Sequence, residues 1–208
     1  MPKRVGSRGV PRETREQLIL DVAGQVFARD GYHAASMDEI ASLADVSKPM
    51  LYTYFGSKEG LYVGYIDRNG RELLDRLVRA AGPGDPPLVA LRARIGEFLA
   101  FVQEYRDGWT VLFREMTSSR PLAEEVAELR GRIATAVRRM VDDAVPSPAR
   151  LPPHASDAIA HAIVGAGESL ANWWLEHPDV RLEEVADWYV GVVQSAVTAA
   201  IRSDVGVP

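Results

Sequence analysis

The sequence contains no cysteine, which excludes disulfide bonds, thiolate metal sites and a cysteine nucleophile. Its four histidines are scattered along the chain without the spacing of metal ligands. No apolar run is long enough to span a bilayer, and residues 1–12 lack the apolar segment of a secretory signal. We therefore expect a cytoplasmic protein with no membrane association, no bound metal and no other cofactor.

Catalytic patterns are also missing from the sequence. Asp142 and Asp143 are adjacent, so on a helix they cannot share one face as a pair of catalytic carboxylates. The glycine-containing segment 82–84 lacks the lysine and the serine or threonine of a phosphate-binding loop. Arg114 and Glu115 could bind a polar ligand group, although we interpret them as a surface pair. These observations predict that the chain is not an enzyme.

Charge is distributed unevenly along the chain. The net charge of −5 by itself argues against a nucleic-acid partner. However, Lys3, Arg4, Arg8 and Arg12 all precede the first acidic residue, Glu13. The basic arm at residues 1–11 either contacts DNA, in the minor groove or at phosphates, or serves as a disordered solubilising tail. Both interpretations are open from the sequence.

Helical periodicity covers almost the whole chain, and no segment alternates polar and apolar residues as a strand would. Segments rich in proline and glycine, at residues 82–87 and 145–153, interrupt the periodic stretches. The pattern predicts an all-α protein of about nine helices. We expect them at residues 12–29, 36–44, 48–55, 57–80, 88–105, 109–117, 122–144, 156–176 and 182–202.

Three serines mark the starts of the second, third and fourth helices. Ser36 opens a capping box in which its hydroxyl accepts from the Glu39 amide and the Glu39 side chain bonds back to the serine amide. Ser47 caps the third helix, which has Pro49 in its first turn, and Ser57 caps the fourth. Two short helices joined by a tight turn and supported by the first helix have the arrangement of a helix-turn-helix.

The third helix is expected to have one inner and one outer face. Leu51 and Phe55 are four residues apart and should point inward, towards a core that also holds Ile40 and Leu43. The outer face then carries Lys48, Pro49, Tyr52 and Thr53. Lysine can donate to a phosphate or to a guanine edge, and an exposed tyrosine can contact a phosphate. This pattern is typical of a recognition helix that enters the major groove.

Residues 40–61 (IASLADVSKPMLYTYFGSKEGL) resemble the helix-turn-helix of the TetR/AcrR family of transcriptional regulators. Segments 27–32 and 36–41 agree with the family as well. The resemblance implies DNA contacts from Ser36, Met37, Ser47, Lys48, Pro49, Tyr52, Thr53, Tyr54 and Lys58. Tyr54 could instead belong to the core beside Phe55. Lys58 also has a physical basis as a phosphate ligand, because free amides at a helix start bind anions. Met50 departs from the small or polar residue that is frequent there, which leaves the operator sequence open.

In this family the remainder of the chain binds a small molecule and dimerises, so the resemblance implies both for residues 57–208. Aromatic residues could line a pocket between bundle helices, and the candidates are Tyr65, Phe101, Trp109 and Phe113. Each of them could also be an ordinary core residue. Small residues on the last two helices, with Trp173, Trp174 and Trp188 as large anchors, predict a homodimer through those helices. Close packing of the two helices within one chain is the alternative.

The resemblance therefore implies a ligand-responsive regulator, expected to be a repressor. It would bind a palindromic double-stranded operator as a dimer and be released by a small-molecule effector. Its domains would be the basic arm at 1–11, a helix-turn-helix domain at 12–56 and a ligand-binding and dimerisation domain at 57–208. Two alternatives without DNA binding are a helical small-molecule carrier and a protein-docking module.

Overall fold

The computed structural model of the chain describes residues 11–106, 108–109, 120–145 and 151–205, and only the backbone of 120–122 and 203–205. These ranges contain eight helices and no strand, which confirms the predicted all-α fold. The helices are α1 (Arg12–Ala34), α2 (Met37–Leu43), α3 (Lys48–Phe55), α4 (Lys58–Arg79), α5 (Pro87–Glu104), α6 (Arg120–Ala144), α7 (Pro153–Leu175) and α8 (Leu182–Val205). The helix predicted at 109–117 lies outside the described residues, except for Trp109.

Local capping explains where the short helices begin and end. The Ser36 hydroxyl accepts from the Glu39 amide at 3.4 Å, and the Ser47 hydroxyl accepts from the Met50 amide at 3.3 Å. Both side chains satisfy amides that lack a partner inside the helix. Gly56 ends α3 with a φ of 73°, a conformation that favours glycine. These features agree with the predicted helix starts.

The second half of the predicted capping box is wrong. The Glu39 carboxylate does not return to Ser36 but accepts two hydrogen bonds from Arg29 Nη2, at 2.8 and 2.9 Å. Arg29 also donates to Asp30, and this hydrogen bond lowers the pKa of the Asp30 carboxyl. The Glu39 side chain therefore ties α2 to the end of α1. The Glu39 carboxylate forms stronger hydrogen bonds with the charged arginine than it could form with the uncharged serine amide.

The described residues form two compact units. The first consists of the described residues up to Asn69 and within Arg106–Val126, and the second of those within Gly70–Tyr105 and Ala127–Pro208. In the first unit, α1 buries the predicted apolar stripe: Ile19, Val22, Ala23, Val26 and Phe27. Ile40 of α2 and Leu51 of α3 are fully buried. The helix-turn-helix therefore rests on an apolar base supplied by α1.

Leu43 was expected in this core, and that expectation is wrong because Leu43 is 56% exposed. The buried residues of α2 and its end are Met37, Ile40, Ala41 and Ala44, at the spacing i, i+3, i+4 and i+7. Leu43 precedes the last of these by one position, which turns its side chain by roughly 100° around the helix and away from the core. The buried stripe of α2 therefore ends on Ala44, one residue after the predicted Leu43.

The second unit has its own core. Ile95 and Leu99 of α5 pack with Trp174 of α7 and with an apolar face of α8 made of Val185, Ala186, Tyr189, Val190 and Val193. The Trp174 indole donates to the Val180 carbonyl at 2.8 Å, which satisfies its polar atom inside the core. No helix in the described part of the chain is both long enough and apolar enough to cross a membrane.

Candidate nucleic-acid interface

The outer face of α3 has the composition that the sequence predicted. Lys48, Pro49, Tyr52 and Thr53 are all exposed, whereas Leu51 is fully buried on the opposite face. Phe55 is half-buried and lies against α4, where a Cβ added to Gly64 would be 3.4 Å from its ring. The buried and half-buried residues fix the helix on the rest of the unit. The polar face is left free for a partner.

Lys48, at the start of α3, is held by a residue of α2. Its Nζ donates to the Asp38 carboxylate at 2.9 Å, and this hydrogen bond raises the pKa of the lysine. Lys48 therefore stays protonated at any physiological pH. The two side chains are 48% and 70% exposed, so the pair faces solvent rather than the core. Asp38 was not among the predicted site residues, because a contact between residues ten positions apart on two different helices has no local sequence pattern.

Several predicted DNA contacts already have partners within the fold. Thr53 Oγ1 donates to the Pro49 carbonyl at 2.8 Å, which leaves the lone pairs of its hydroxyl as acceptors. The Ser36 and Ser47 hydroxyls are exposed but occupied as helix caps. The Met37 side chain is buried, so only its backbone amide at the start of α2 is suited to a phosphate contact.

Tyr54 lies between α3 and α1 rather than on the outer face. Its hydroxyl accepts from Arg15 Nη1 at 3.2 Å, and the Arg12 guanidinium lies 5.3 Å from the centre of its ring. The ring is half-buried and makes a tilted contact with Phe55. This geometry favours the interpretation of Tyr54 as a packing residue. Two arginines from the start of α1 are thereby placed beside the recognition helix, a role that the sequence analysis did not assign to Arg15.

Lys58 also makes contacts inside the first unit. Its Nζ donates to the His33 carbonyl at 2.8 Å and lies 5.0 Å from the centre of the Tyr32 ring. The His33 carbonyl belongs to the last turn of α1, where carbonyls lack partners inside the helix. Lys58 therefore joins the start of α4 to the end of α1, in addition to any phosphate contact.

The four candidate ligand-binding residues are divided between the two units. Tyr65 and Trp109 are buried in the first unit, and Phe101 is buried in the second, with the Arg76 guanidinium 5.6 Å from its ring centre. Phe113 lies outside the described residues. A cavity of about 440 Å³ in the second unit is lined by the ends of α4 and α6 and the start of α5, including Arg94 and Arg139. None of the three described candidates, Tyr65, Phe101 and Trp109, lines that cavity.

Comparison with known families identifies both parts of the chain. Residues 19–64 match the family "Bacterial regulatory proteins, tetR family", and residues 87–195 match "Tetracyclin repressor-like, C-terminal domain". The second match alone covers more than half of the 208 residues. The first match contains α2, α3 and the face of α3 described above.

Individual relatives agree with the family matches. The chain is 33% identical over 176 residues to the HTH-type transcriptional activator FasR of Mycolicibacterium smegmatis, covering 84% of this chain and 78% of FasR. It is 31% identical over 123 residues to the HTH-type transcriptional regulator RutR of Escherichia coli, covering 58% and 56% of the two chains.

Solved structures show the same fold. A TetR-like transcriptional regulator from Rhodococcus sp. RHA1 superposes with a TM-score of 0.70 at 34% identity, covering 91% of this chain and 98% of the other. FadR from Bacillus subtilis, solved in complex with stearoyl-CoA, superposes with a TM-score of 0.76 at 16% identity, covering 86% and 98%. The chain belongs to the TetR family of bacterial transcriptional regulators.

Proposed function

We propose that the chain binds a palindromic operator as a homodimer through α3 and is released from it by a small-molecule effector. The observation that carries this proposal is the exposed polar face of α3, which is fixed from behind by the buried Leu51 and at its start by the Ser47 cap. A short helix held in this way suits the major groove, where its side chains meet base edges and flanking phosphates. We further propose that the protein has no enzymatic activity.

The proposed DNA contacts are those implied by the family resemblance, weighted by the geometry. Lys48 and Tyr52 are exposed and project from the recognition helix, so we assign them the main contacts. Ser36, Met37, Ser47, Pro49, Thr53 and Lys58 are proposed as supporting contacts, mostly to phosphates. Tyr54 is proposed to act by packing. The proposed domains are an arm at 1–11, the DNA-binding domain at 12–56 and the ligand-binding and dimerisation domain at 57–208.

The outward faces of α7 and α8 support dimerisation. Exposed residues at helical spacing on these faces are mostly small or apolar: Ala162, Gly165, Ala166, Ser169 and Trp173 on α7, and Trp188, Gly191, Val192, Ser195, Ala196 and Ala199 on α8. We name this surface the small-residue face. The rings of Trp173 and Trp188 are 6.3 Å apart, so the two helices contribute to one continuous surface. A two-fold homodimer through this face would match a two-fold operator.

Tyr65, Phe101, Trp109 and Phe113 remain the proposed effector-binding residues, and the effector itself is left unnamed. We propose that effector binding changes the inclination of α4, which is continuous from Lys58 to Arg79, and so changes the spacing of the two recognition helices in the dimer. The proposed outcome is release of a repressor. FasR carries the name of an activator, so expression of a reporter gene placed behind the operator must decide between repression and activation.

Operator binding is tested by selecting fragments of genomic DNA with the purified full chain. We expect enrichment of a palindromic site by the wild type and none by the Lys48→Ala, Tyr52→Ala double variant. Lys48→Ala alone should weaken operator binding by roughly 1–3 kcal/mol if the lysine contacts a base. The control is Arg181→Ala, which removes one exposed positive charge from the second unit and should leave enrichment unchanged.

The result that would contradict the proposal is the absence of any enriched site at low salt and without effector. That result would favour the carrier or the protein-docking alternative. A carrier would bind small molecules without DNA affinity. A protein-docking module would show no steep salt dependence of nucleic-acid binding, because no counterions are released.

A further inference from the structure

Asp38 is an acidic residue on the surface that is proposed to bind DNA, which is itself strongly anionic. It occupies the second position of α2, is 70% exposed, and lies 2.9 Å from Lys48 Nζ. Within the described part of the chain, neither Asp38 nor Lys48 has another hydrogen-bond or ion-pair partner. The neighbouring Glu39 is occupied differently, because its carboxylate is tied to Arg29. Lys48 thus has one dedicated carboxylate.

An exposed ion pair of this kind contributes little to folding, since solvent screens it and two long side chains must be held in place. The pair matters more directly for the choice between kinds of DNA contact. A bare lysine attracts any phosphate, and this attraction supplies most of the affinity for DNA of unrelated sequence. With Asp38 beside it, the pair carries no net charge. Exchanging the carboxylate for a phosphate then replaces one anion by another and brings Asp38 close to the DNA backbone.

A guanine edge differs from a phosphate in this respect. Its O6 and N7 atoms are neutral acceptors, and an ammonium group has three donors. Lys48 can keep one donor on Asp38 and give the other two to the base. No carboxylate has to be displaced and no two anions have to approach each other. The paired lysine therefore retains its hydrogen bonds to a base while losing much of its attraction to phosphates.

We infer that Asp38 is a specificity-determining residue, which neutralises Lys48 so that the lysine favours a guanine edge in the operator over the phosphates of other DNA. This inference rests on the proposed operator binding. It assigns to α2 a part in sequence discrimination that requires no contact between Asp38 and the DNA.

The test measures the dissociation constants of the full chain for its selected operator and for a random-sequence duplex, each over a range of salt concentrations. Asp38→Asn should strengthen binding to random DNA by about two- to fivefold, the strength of an exposed ion pair. It should also steepen the salt dependence by roughly 0.9 in log–log slope, as expected for one more neutralised phosphate. Operator binding should change less, so the ratio of the two affinities should fall.

Two controls separate this effect from the general loss of a negative charge. Asp45, in the turn between α2 and α3, is exposed, has no ion-pair partner within the described residues and has a φ of 52°, which asparagine also tolerates. Asp45→Asn should leave the affinity ratio unchanged. In the Lys48→Ala background, Asp38→Asn should no longer steepen the salt dependence. Thermal unfolding checks that each variant is folded.

Equal effects of Asp38→Asn and Asp45→Asn would overturn the inference, as would an effect of Asp38→Asn that persists without Lys48. If the wild type binds its operator and the affinity ratio is the same in Asp38→Asn, the inference alone fails. If the wild type binds no DNA at low salt, the proposed function and this inference fail together.

Discussion

Two tyrosine rings in this molecule lie against glycines that have no room for a side chain. A Cβ added to Gly24 of α1 would be 2.5 Å from a ring carbon of Tyr65, and one added to Gly167 of α7 would be 2.7 Å from the Tyr189 hydroxyl. That hydroxyl also donates to the Ile163 carbonyl, and burial raises the pKa of Tyr189. At these positions glycine is required for space, and its backbone freedom is not what matters.

Gly167→Ala should therefore destabilise the protein by roughly 1–3 kcal/mol, the usual cost of an overpacked core. The matched control is Gly96→Ala in α5, where a Cβ would meet nothing within 4 Å. It should stabilise the helix by about 0.5–1 kcal/mol. Urea unfolding of both variants provides the comparison. Adding Tyr189→Phe to Gly167→Ala removes the clashing oxygen and should recover part of the loss; no recovery would place the strain elsewhere.

Residue roles were predictable from the sequence where the partner is close in the chain. The hydroxyls of Ser36 and Ser47 cap helices because their amide partners lie three residues ahead. The partner of Glu39 lies ten residues behind it, and the partner of Lys48 lies ten residues behind it on another helix. Which of several carboxylates a basic side chain reaches depends on the angle between helices, which a single sequence does not specify.

At the scale of the element, α3 is the clearest case of a helix that depends on its ends. It has eight residues, fewer than a helix needs for stability by itself in water. Its start is fixed by Ser47 and Pro49, and its end by Gly56. Helices of this length persist because capping and one buried face compensate for the cost of nucleation.

Ser47→Ala should accordingly cost about 1 kcal/mol in the free energy of unfolding. DNA affinity should fall as well, because the proposed contacts require α3 to be formed at its first turn. Ser42→Ala is the matched control. Ser42 is an exposed serine of α2 whose side chain makes no hydrogen bond among the described residues, so alanine should be neutral or slightly stabilising there. Equal losses in the two variants would show that the Ser47 cap is unimportant.

The sequence predicted the buried side of each helix better than it predicted the individual residues on that side. The stripe of α1 and both faces of α3 agree with the sequence pattern, because each helix presents several apolar residues in register. The prediction for α2 failed at Leu43 because its seven residues make less than two full turns, and a single leucine was given too much weight. In so short a helix, alanines at 41 and 44 define the buried side as much as the larger residues do.

At the scale of the whole molecule, the small-residue face is the surface that we propose to bind a second copy of the chain. Val192→Glu would place a carboxylate within it, and burying an unpaired charge is costly. We expect the wild type to be dimeric and the variant monomeric at the same concentration, with a dimer dissociation constant raised at least about tenfold. Analytical ultracentrifugation measures this directly. Operator affinity should fall in parallel.

Val89→Glu is the control for that experiment. Val89 on α5 is 54% exposed, close to the 56% of Val192, but lies off the small-residue face. The same chemical change there should leave the dimer intact. Dissociation by both substitutions would indicate a general effect of charge. Dissociation by neither would mean that α7 and α8 do not form the interface.

The architecture of the whole chain was predictable because helical periodicity and punctuation by proline and glycine are properties of long segments. The effector residues were not predictable to the same degree. An aromatic residue on a helix has the same sequence pattern whether it lines a pocket or fills a core, and the buried Tyr65, Phe101 and Trp109 illustrate this. Only the packing around each ring separates the two cases.

The engagement of Lys48 and Lys58 has a practical consequence for handling the protein. The chain has only three lysines, Lys3, Lys48 and Lys58, whereas every basic residue of the second unit other than histidine is an arginine. Reagents selective for amines will therefore modify only the terminal amine and these three lysines, all of which lie within the first 58 residues. Coupling to a sensor surface through amines would disrupt the Asp38 and His33 contacts and mask the proposed DNA-binding side. Attachment through a C-terminal tag leaves Lys48 and Lys58 unmodified.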